Sequence, residues 1–160
     1  SLYSCHTNLD IASGGVNDVL AERLGLSNVE VIGTEHLLRR GTVPEQSLPQ
    51  FLAFVKSALG CPGLRYVDGG KPCARIAVGG GACAGEFLDA VNAGCDTLVT
   101  SDAKYNQFWD AGDYGLNLID AGHFYTENPV CAVLAAKIQA EFPELVVKIS
   151  EKHHDCMKFL

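Results

Sequence analysis

Hydrophobic and polar positions follow two different periods along the chain. Val16, Val19, Leu20 and Leu24 recur at steps of three, one and four, one face of a helix, and Gly25 follows as a stop. Ser47 and Pro49 open a second predicted helix whose apolar stripe is Phe51, Leu52, Val55, Ala58 and Leu59. The pattern predicts further helices through Phe87, Leu88 and Val91, over residues 105–111 and over residues 129–140. Short apolar or alternating runs predict strands at residues 3–6, 29–32, 64–67, 75–78, 97–100, 116–120 and 145–149. Residues 41–47 read as a loop and as the weakest point for a domain boundary. Strands that alternate with helices predict an α/β fold with mixed sheets flanked by helices.

Composition narrows the picture. The hydrophobic fraction of 48% supports a packed core. No apolar run approaches the roughly 18–20 residues of a membrane span, and no secretory signal opens the chain. With 19 acidic against 12 basic residues and a net charge of −7, no basic field gathers phosphates, which argues against a nucleic-acid partner. The seven cysteines form no CxxC pair and several lie in apolar stretches, so a reducing cytosol is expected. The chain opens with Ser1 inside what reads as a strand, so an N-terminal portion is expected to be missing.

Two segments look alike. Leu2-Tyr3-Ser4-Cys5-His6-Thr7-Asn8-Leu9-Asp10 leads into a helix, and so does Leu118-Ile119-Asp120-Ala121-Gly122-His123-Phe124-Tyr125-Thr126-Glu127. Each runs strand, histidine, three residues, carboxylate, helix. Residues four apart share a face in a helix or a strand, so each imidazole and its carboxylate can project together. Strand ends in α/β sheets are also where crevices form. The pattern fits two similar α/β halves with a site between them, gathering His6, Asp10, His123 and Glu127. Two imidazoles and two carboxylates suit zinc, iron or manganese, and Asp10 and Glu127 could each bridge a metal pair. A surface pair or a cap remains the alternative for either copy alone.

These residues carry a resemblance. His6-Thr7-Asn8-Leu9-Asp10, then Gly15-Val16-Asn17-Asp18-Val19-Leu20-Ala21, together with Gly122-His123-Phe124-Tyr125-Thr126-Glu127, resemble the YbgI family of dinuclear-metal proteins, also called Ngg-interacting-factor-3-like or GTP cyclohydrolase 1 type 2 homologues. Residues 75–81, 94–100 and 111–121 resemble it too. The resemblance implies two α/β halves around a site for two divalent metal ions (Zn, Fe or Mn) and assembly into a hexameric ring. It implies Asp10, His123 and Glu127 as metal ligands, and His6 beside the metals as the proton-handling catalytic group. On this basis residues 1–40 would be the remainder of a truncated first half and residues 41–160 the second half. The family's other ligands, a His-His pair in an N-terminal segment, are absent from this chain, so the site is expected to be incomplete. Asn106 stands where family members often have histidine.

The implied activity is hydrolysis of a small-molecule substrate, a purine nucleotide such as GTP, by metal-activated water. A non-catalytic metal-binding or protein-interaction module is the alternative, and metal storage a third. Other residues have blander expectations. His153-His154 reads as a solvated tail with a substitute ligand pair as the lesser option, and His36 as a surface residue. Gly79-Gly80-Gly81 reads as a close-packed turn in preference to a phosphate cradle, since Walker lysine is absent. Lys104 and Tyr105 are weighed as anion contacts, and Trp109 as core or an oligomer contact.

Overall fold

A computed structural model describes residues 1–160. Its strands are β1 (Ser27–Ile32), β2 (Leu38–Gln46), β3 (Arg65–Val67), β4 (Cys73–Val78), β5 (Thr97–Thr100) and β6 (Asn117–Asp120). Its helices are α1 (Thr7–Ile11), α2 (Val16–Arg23), α3 (Leu48–Leu59), α4 (Phe87–Asn92), α5 (Tyr105–Asp113), α6 (His123–Glu127) and α7 (Pro129–Glu141). The six strands form one sheet in the order β1-β2-β4-β5-β6-β3. The pairs β4–β5 and β5–β6 are parallel, and the other three are antiparallel. This is the mixed α/β architecture that the alternating pattern predicts.

Successive strand residues face opposite sides, and both sides are covered. Ile76, Val78, Val99 and Ile119 pack with Leu20 of α2, Leu24 just after it, and Phe51 and Val55 of α3 on one face. Ala77, Leu98 and Leu118 pack with Phe87, Ala90 and Ala111 of α4 and α5 on the other. The central strands therefore carry apolar residues on both faces at their middles, Ile76-Ala77-Val78, Leu98-Val99 and Leu118-Ile119, as a doubly covered sheet requires. Helix α3 begins as its sequence suggests: the Gln50 side chain reaches back to accept the Ser47 backbone N–H at 3.1 Å, with Pro49 in the first turn.

Three expected elements differ. Residues 41–47 are mostly strand: β2 runs from Leu38 to Gln46, pairing with β1 on one side and β4 on the other. The proposed division between residues 40 and 41 thus falls inside a strand. Pro44 hides this strand in the sequence, and it sits where the β2–β4 register shifts between Thr42 and Gln46, a place that tolerates a missing N–H. Residues 3–6 form no strand. They lie exposed and have no neighbouring strand to satisfy their backbone. Residues 145–149 form none either. Gln139 of α7 captures that backbone instead, donating to the Leu145 carbonyl at 2.9 Å and accepting from the Val147 N–H at 3.5 Å.

The corner between α1 and α2 is tied to β2. Buried Arg39 pairs through Nε with Asp18 and donates to the carbonyls of Ile11 and His36, both at 3.0 Å. Asp18 in turn accepts the Gly14 N–H at 2.6 Å. No helix is long and apolar enough to cross a membrane.

Candidate functional site

The parallel strands β4, β5 and β6 end on one side of the sheet, and their carboxyl ends each lead into a turn: Gly79-Gly80-Gly81, Ser101-Asp102 and Ala121-Gly122. Crevices form at such ends in α/β sheets. A cavity of about 670 Å³ opens there, lined by His6, Asp10, His123 and Glu127 among others. The two look-alike segments thus converge, each contributing a five-residue helix, α1 and α6. Only the second copy follows a strand.

The glycine turn forms the floor. Its N–H groups are spent on protein acceptors. Gly79 donates to the Val99 carbonyl at 3.0 Å, Gly80 to Asn17 Oδ1 at 2.7 Å and Gly81 to Thr126 Oγ1 at 3.0 Å. A close-packed turn is therefore correct, and no phosphate cradle exists. Gly81 has φ +65°, and a Cβ there would lie 2.2 Å from Glu127 Oε1 and 3.2 Å from His123 Nε2. The position requires glycine both for its backbone and for the space the two side chains occupy.

His123 sits between two carboxylates. Its Nδ1 is 2.7 Å from Asp102 Oδ2 and its Nε2 is 2.9 Å from Glu127 Oε1. Both oxygens are acceptors, so each contact needs a proton, supplied by an imidazolium or by protonated Glu127. Burial pulls the His123 pKa down, but the hydrogen bond to Asp102 and the charge of Glu127 outweigh it and leave it raised. Burial raises Glu127, His123 opposes this, and the nearby negative charge of Asp10 adds to it. Asp10 is likewise raised by burial, with His6 and His123 opposing. Cys83 at the cavity wall is pushed up to about 12, by burial and then by the charges of Asp10, Glu86 and Glu127. It is a protonated thiol at neutral pH.

The site therefore holds two carboxylates whose charged forms are disfavoured, and an imidazole whose Nδ1 is fixed by a third carboxylate. These donors fit a divalent cation in kind: positive charge at the His123–Glu127 contact would replace the proton now needed there. A carboxylate behind a ligating imidazole is a recurring arrangement. As they stand, no three His, Cys, Asp or Glu side chains converge closely enough to hold a metal ion. The residues fit in chemistry and are not gathered within bonding reach of one ion.

Residues 1–155 match the sequence model of Duf34/NIF3 (NGG1p interacting factor 3). The chain belongs to the Duf34/NIF3 family. It is 37% identical over 147 residues to a GTP cyclohydrolase 1 type 2 homolog of Nostoc, covering 87% of this chain and 56% of that protein. It is 30% identical to the Clostridium perfringens protein of the same description, covering 100% of this chain and 64% of that one. The chain thus spans about 56–64% of the length of these curated relatives. A hypothetical protein of Staphylococcus aureus superposes with TM-score 0.85 at 25% identity, over 97% of this chain and 67% of that one. Reduced HcgD from Methanocaldococcus jannaschii superposes with TM-score 0.75 at 26% identity, over 88% and 57%.

Several site features of this Duf34/NIF3 chain escaped the sequence reading. Asp102 adopts φ +51°, a conformation unusual outside glycine, and so meets His123. The signal was a polar Ser101-Asp102 step directly after an apolar strand. Buried Asn17 bridges α2 to the glycine turn and to the Leu37 carbonyl, 2.5 Å away. His153 and His154, read as a solvated tail, line the cavity. Tyr105 and Trp109 lie elsewhere, in a groove beside β3, and Trp109 is 62% exposed, so it is not core. Neither Lys104 nor Asn106 lines the cavity.

Proposed function

We propose that the chain is part of a dinuclear-metal protein that hydrolyses a purine nucleotide or related small molecule. The observation that carries this reading is the meeting of Asp10, His123 and Glu127 in one cavity, with His123 Nδ1 held by Asp102. The curated relatives' description, GTP cyclohydrolase 1 type 2 homolog, supports the substrate class. Divalent zinc, iron or manganese would supply Lewis acidity and a water that ionises near neutral pH.

The chain's own residues then have separable tasks. Asp10 and Glu127 would hold the cations through carboxylate oxygens and His123 through its imidazole. Asp102 keeps the His123 ring oriented and its Nδ1 proton in place. His6 stands at the cavity mouth with Nδ1 2.8 Å from Thr7 Oγ1 and takes up or returns a proton there. The glycine turn gives the cavity a floor with no spare donors, so substrate recognition falls to side chains. The protein works in the cytoplasm as a ring-shaped homo-oligomer, in keeping with its free thiols.

Elemental analysis followed by nucleotide turnover tests the proposal. Protein purified with native loading should carry divalent metal. Glu127→Ala should lose metal and turnover together while keeping its fold by circular dichroism. Metal bound without turnover of GTP or related nucleotides would favour the non-catalytic alternative.

A further inference from the structure

The contact between Asp102 and His123 depends on two turns that lie side by side. Strands β5 and β6 are parallel neighbours, with Thr100 opposite Asp120. Beyond them Asp102 adopts φ +51° and Gly122 φ +85°. For an aspartate that backbone is costly, and it persists only where its surroundings enforce it. The two turns therefore need a group that holds them in register.

Asp120, the last residue of β6, is buried, and its two oxygens are divided between the turns. Oδ1 accepts the Gly122 N–H at 3.0 Å, one residue before His123. Oδ2 accepts the Ala103 N–H at 3.1 Å, one residue after Asp102. Each bond fixes a peptide group adjoining one member of the Asp102–His123 pair, which meets at 2.7 Å. A buried carboxylate also needs a counter-charge. Arg65 of β3 supplies it through Nη2. That guanidinium is itself steadied: it donates to the Ala103 carbonyl at 3.3 Å and lies over the Phe108 ring, 5.6 Å from the centroid. Asp120 does not line the cavity, so it acts on the site through these turns.

We propose that Asp120 is a positioning residue of the site: its two carboxylate oxygens clamp the Asp102 turn to the entry of α6 and so hold the His123 ring in its orientation. The inference rests on the reading of His123 as a site residue and deepens it. Control of the ring passes from Asp102 back to the sheet, and to the Arg65–Asp120 pair.

Asp120→Asn is the decisive variant. An amide offers one acceptor oxygen, and its NH2 sets donor against donor at the other turn. Asn117→Ser is the control, because buried Asn117 holds the Gly69 N–H and the Lys71 carbonyl at the opposite end of β6. In the metal-stripped 160-residue chain, ring nitrogen-15 shifts should place a proton on His123 Nδ1, bonded to Asp102. In Asp120→Asn that nitrogen should move toward its unprotonated shift. Zinc affinity by calorimetry should fall about 10–100-fold, the usual effect of losing support behind a ligand. Asn117→Ser should unfold more easily yet keep both values. Unchanged ring shifts and zinc affinity in Asp120→Asn would overturn the proposal, and so would an equal loss in Asn117→Ser. Couplings across the two hydrogen bonds, from the Ala103 and Gly122 amide nitrogens to the Asp120 carboxyl carbon, test it in the wild type. Their absence would overturn it even where Asp120→Asn does not fold. A wild type that binds no zinc, with ring shifts altered in Asp120→Asn, would remove the metal reading and leave the positioning role.

Discussion

Individual side chains here are tuned mainly by burial, and Cys95 isolates that effect away from the cavity. It is almost wholly buried beside Ala90 and Leu98, and its pKa is raised from 9.0 to about 11 by burial, with Arg40 opposing. A thiol whose folded pKa is raised loses stability with alkali. Below pH 9 both folded and unfolded states are protonated, and the difference is nil. Between about 9 and 11 only the unfolded chain ionises, so the folded state is progressively disfavoured. At pH 10 the cost is about 1 kcal/mol. Urea unfolding at pH 8 and pH 10 should show Cys95→Ala losing less stability over that interval than the wild type; equal slopes would mean that Cys95 ionises freely when folded. The same logic orders thiol reactivity. Cys5 and Cys156 are exposed, while Cys61, Cys73, Cys83 and Cys95 are buried. A neutral disulfide reagent should titrate the first two quickly in native protein, and the four buried thiols only on unfolding.

At the scale of elements, the glycine turn is held by its neighbours. Asn17 is fully buried, and its amide joins Gly80 N–H to the Leu37 carbonyl, so α2, β4's exit and the approach to β2 meet in one side chain. Asn17→Ala leaves two buried backbone groups unpaired and should cost about 2–4 kcal/mol. Asn17→Asp retains the acceptor for Gly80 but sets a carboxylate against a carbonyl, so it should not rescue stability. Denaturant midpoints of the two variants provide the comparison. Elements of this kind were legible in the sequence to the extent that they are locally determined. Helices α2 and α3 announce themselves through apolar spacing and the Ser47 cap. Strand β2 did not, because Gly41 and Pro44 read as turn residues, whereas the closeness of Leu26 and the backbone of Ser27 to Gly41 is a tertiary fact. The apolar run at residues 145–149 has strand character but no strand partner. In the site, His123 and Glu127 were visible from their spacing of four, since α6 places them side by side. Asp102 was not, because its contact depends on a left-handed backbone and a partner 21 residues away.

For the molecule as a whole, protection is graded from the sheet's centre to its edges. Strand β5 has parallel neighbours on both sides, and all four of its residues are buried. Helices cover it on both faces, so its N–H groups cannot reach water without separation of the two core layers. Strand β1 pairs on one side only, and its residues are mostly exposed. Its hydrogen bonds can open by local fraying, at a fraction of the global unfolding free energy. The site spans this gradient. His123 and the glycine turn follow central strands, whereas α1 is tied to the sheet by Arg39 of β2, which donates to the Ile11 carbonyl and pairs with Asp18 of the following α2. Native-state amide exchange should therefore find β4, β5 and β6 slowest, β1 and α1 faster by orders of magnitude, and residues 142–160 fastest in metal-free protein. Arg39→Met removes the guanidinium that holds the Ile11 carbonyl and Asp18. It should speed exchange in α1 while leaving β5 slow until global stability falls. Equal acceleration in β5 and α1 would show that the α1 corner unfolds only with the core, and Asp10 would then be as firmly placed as His123.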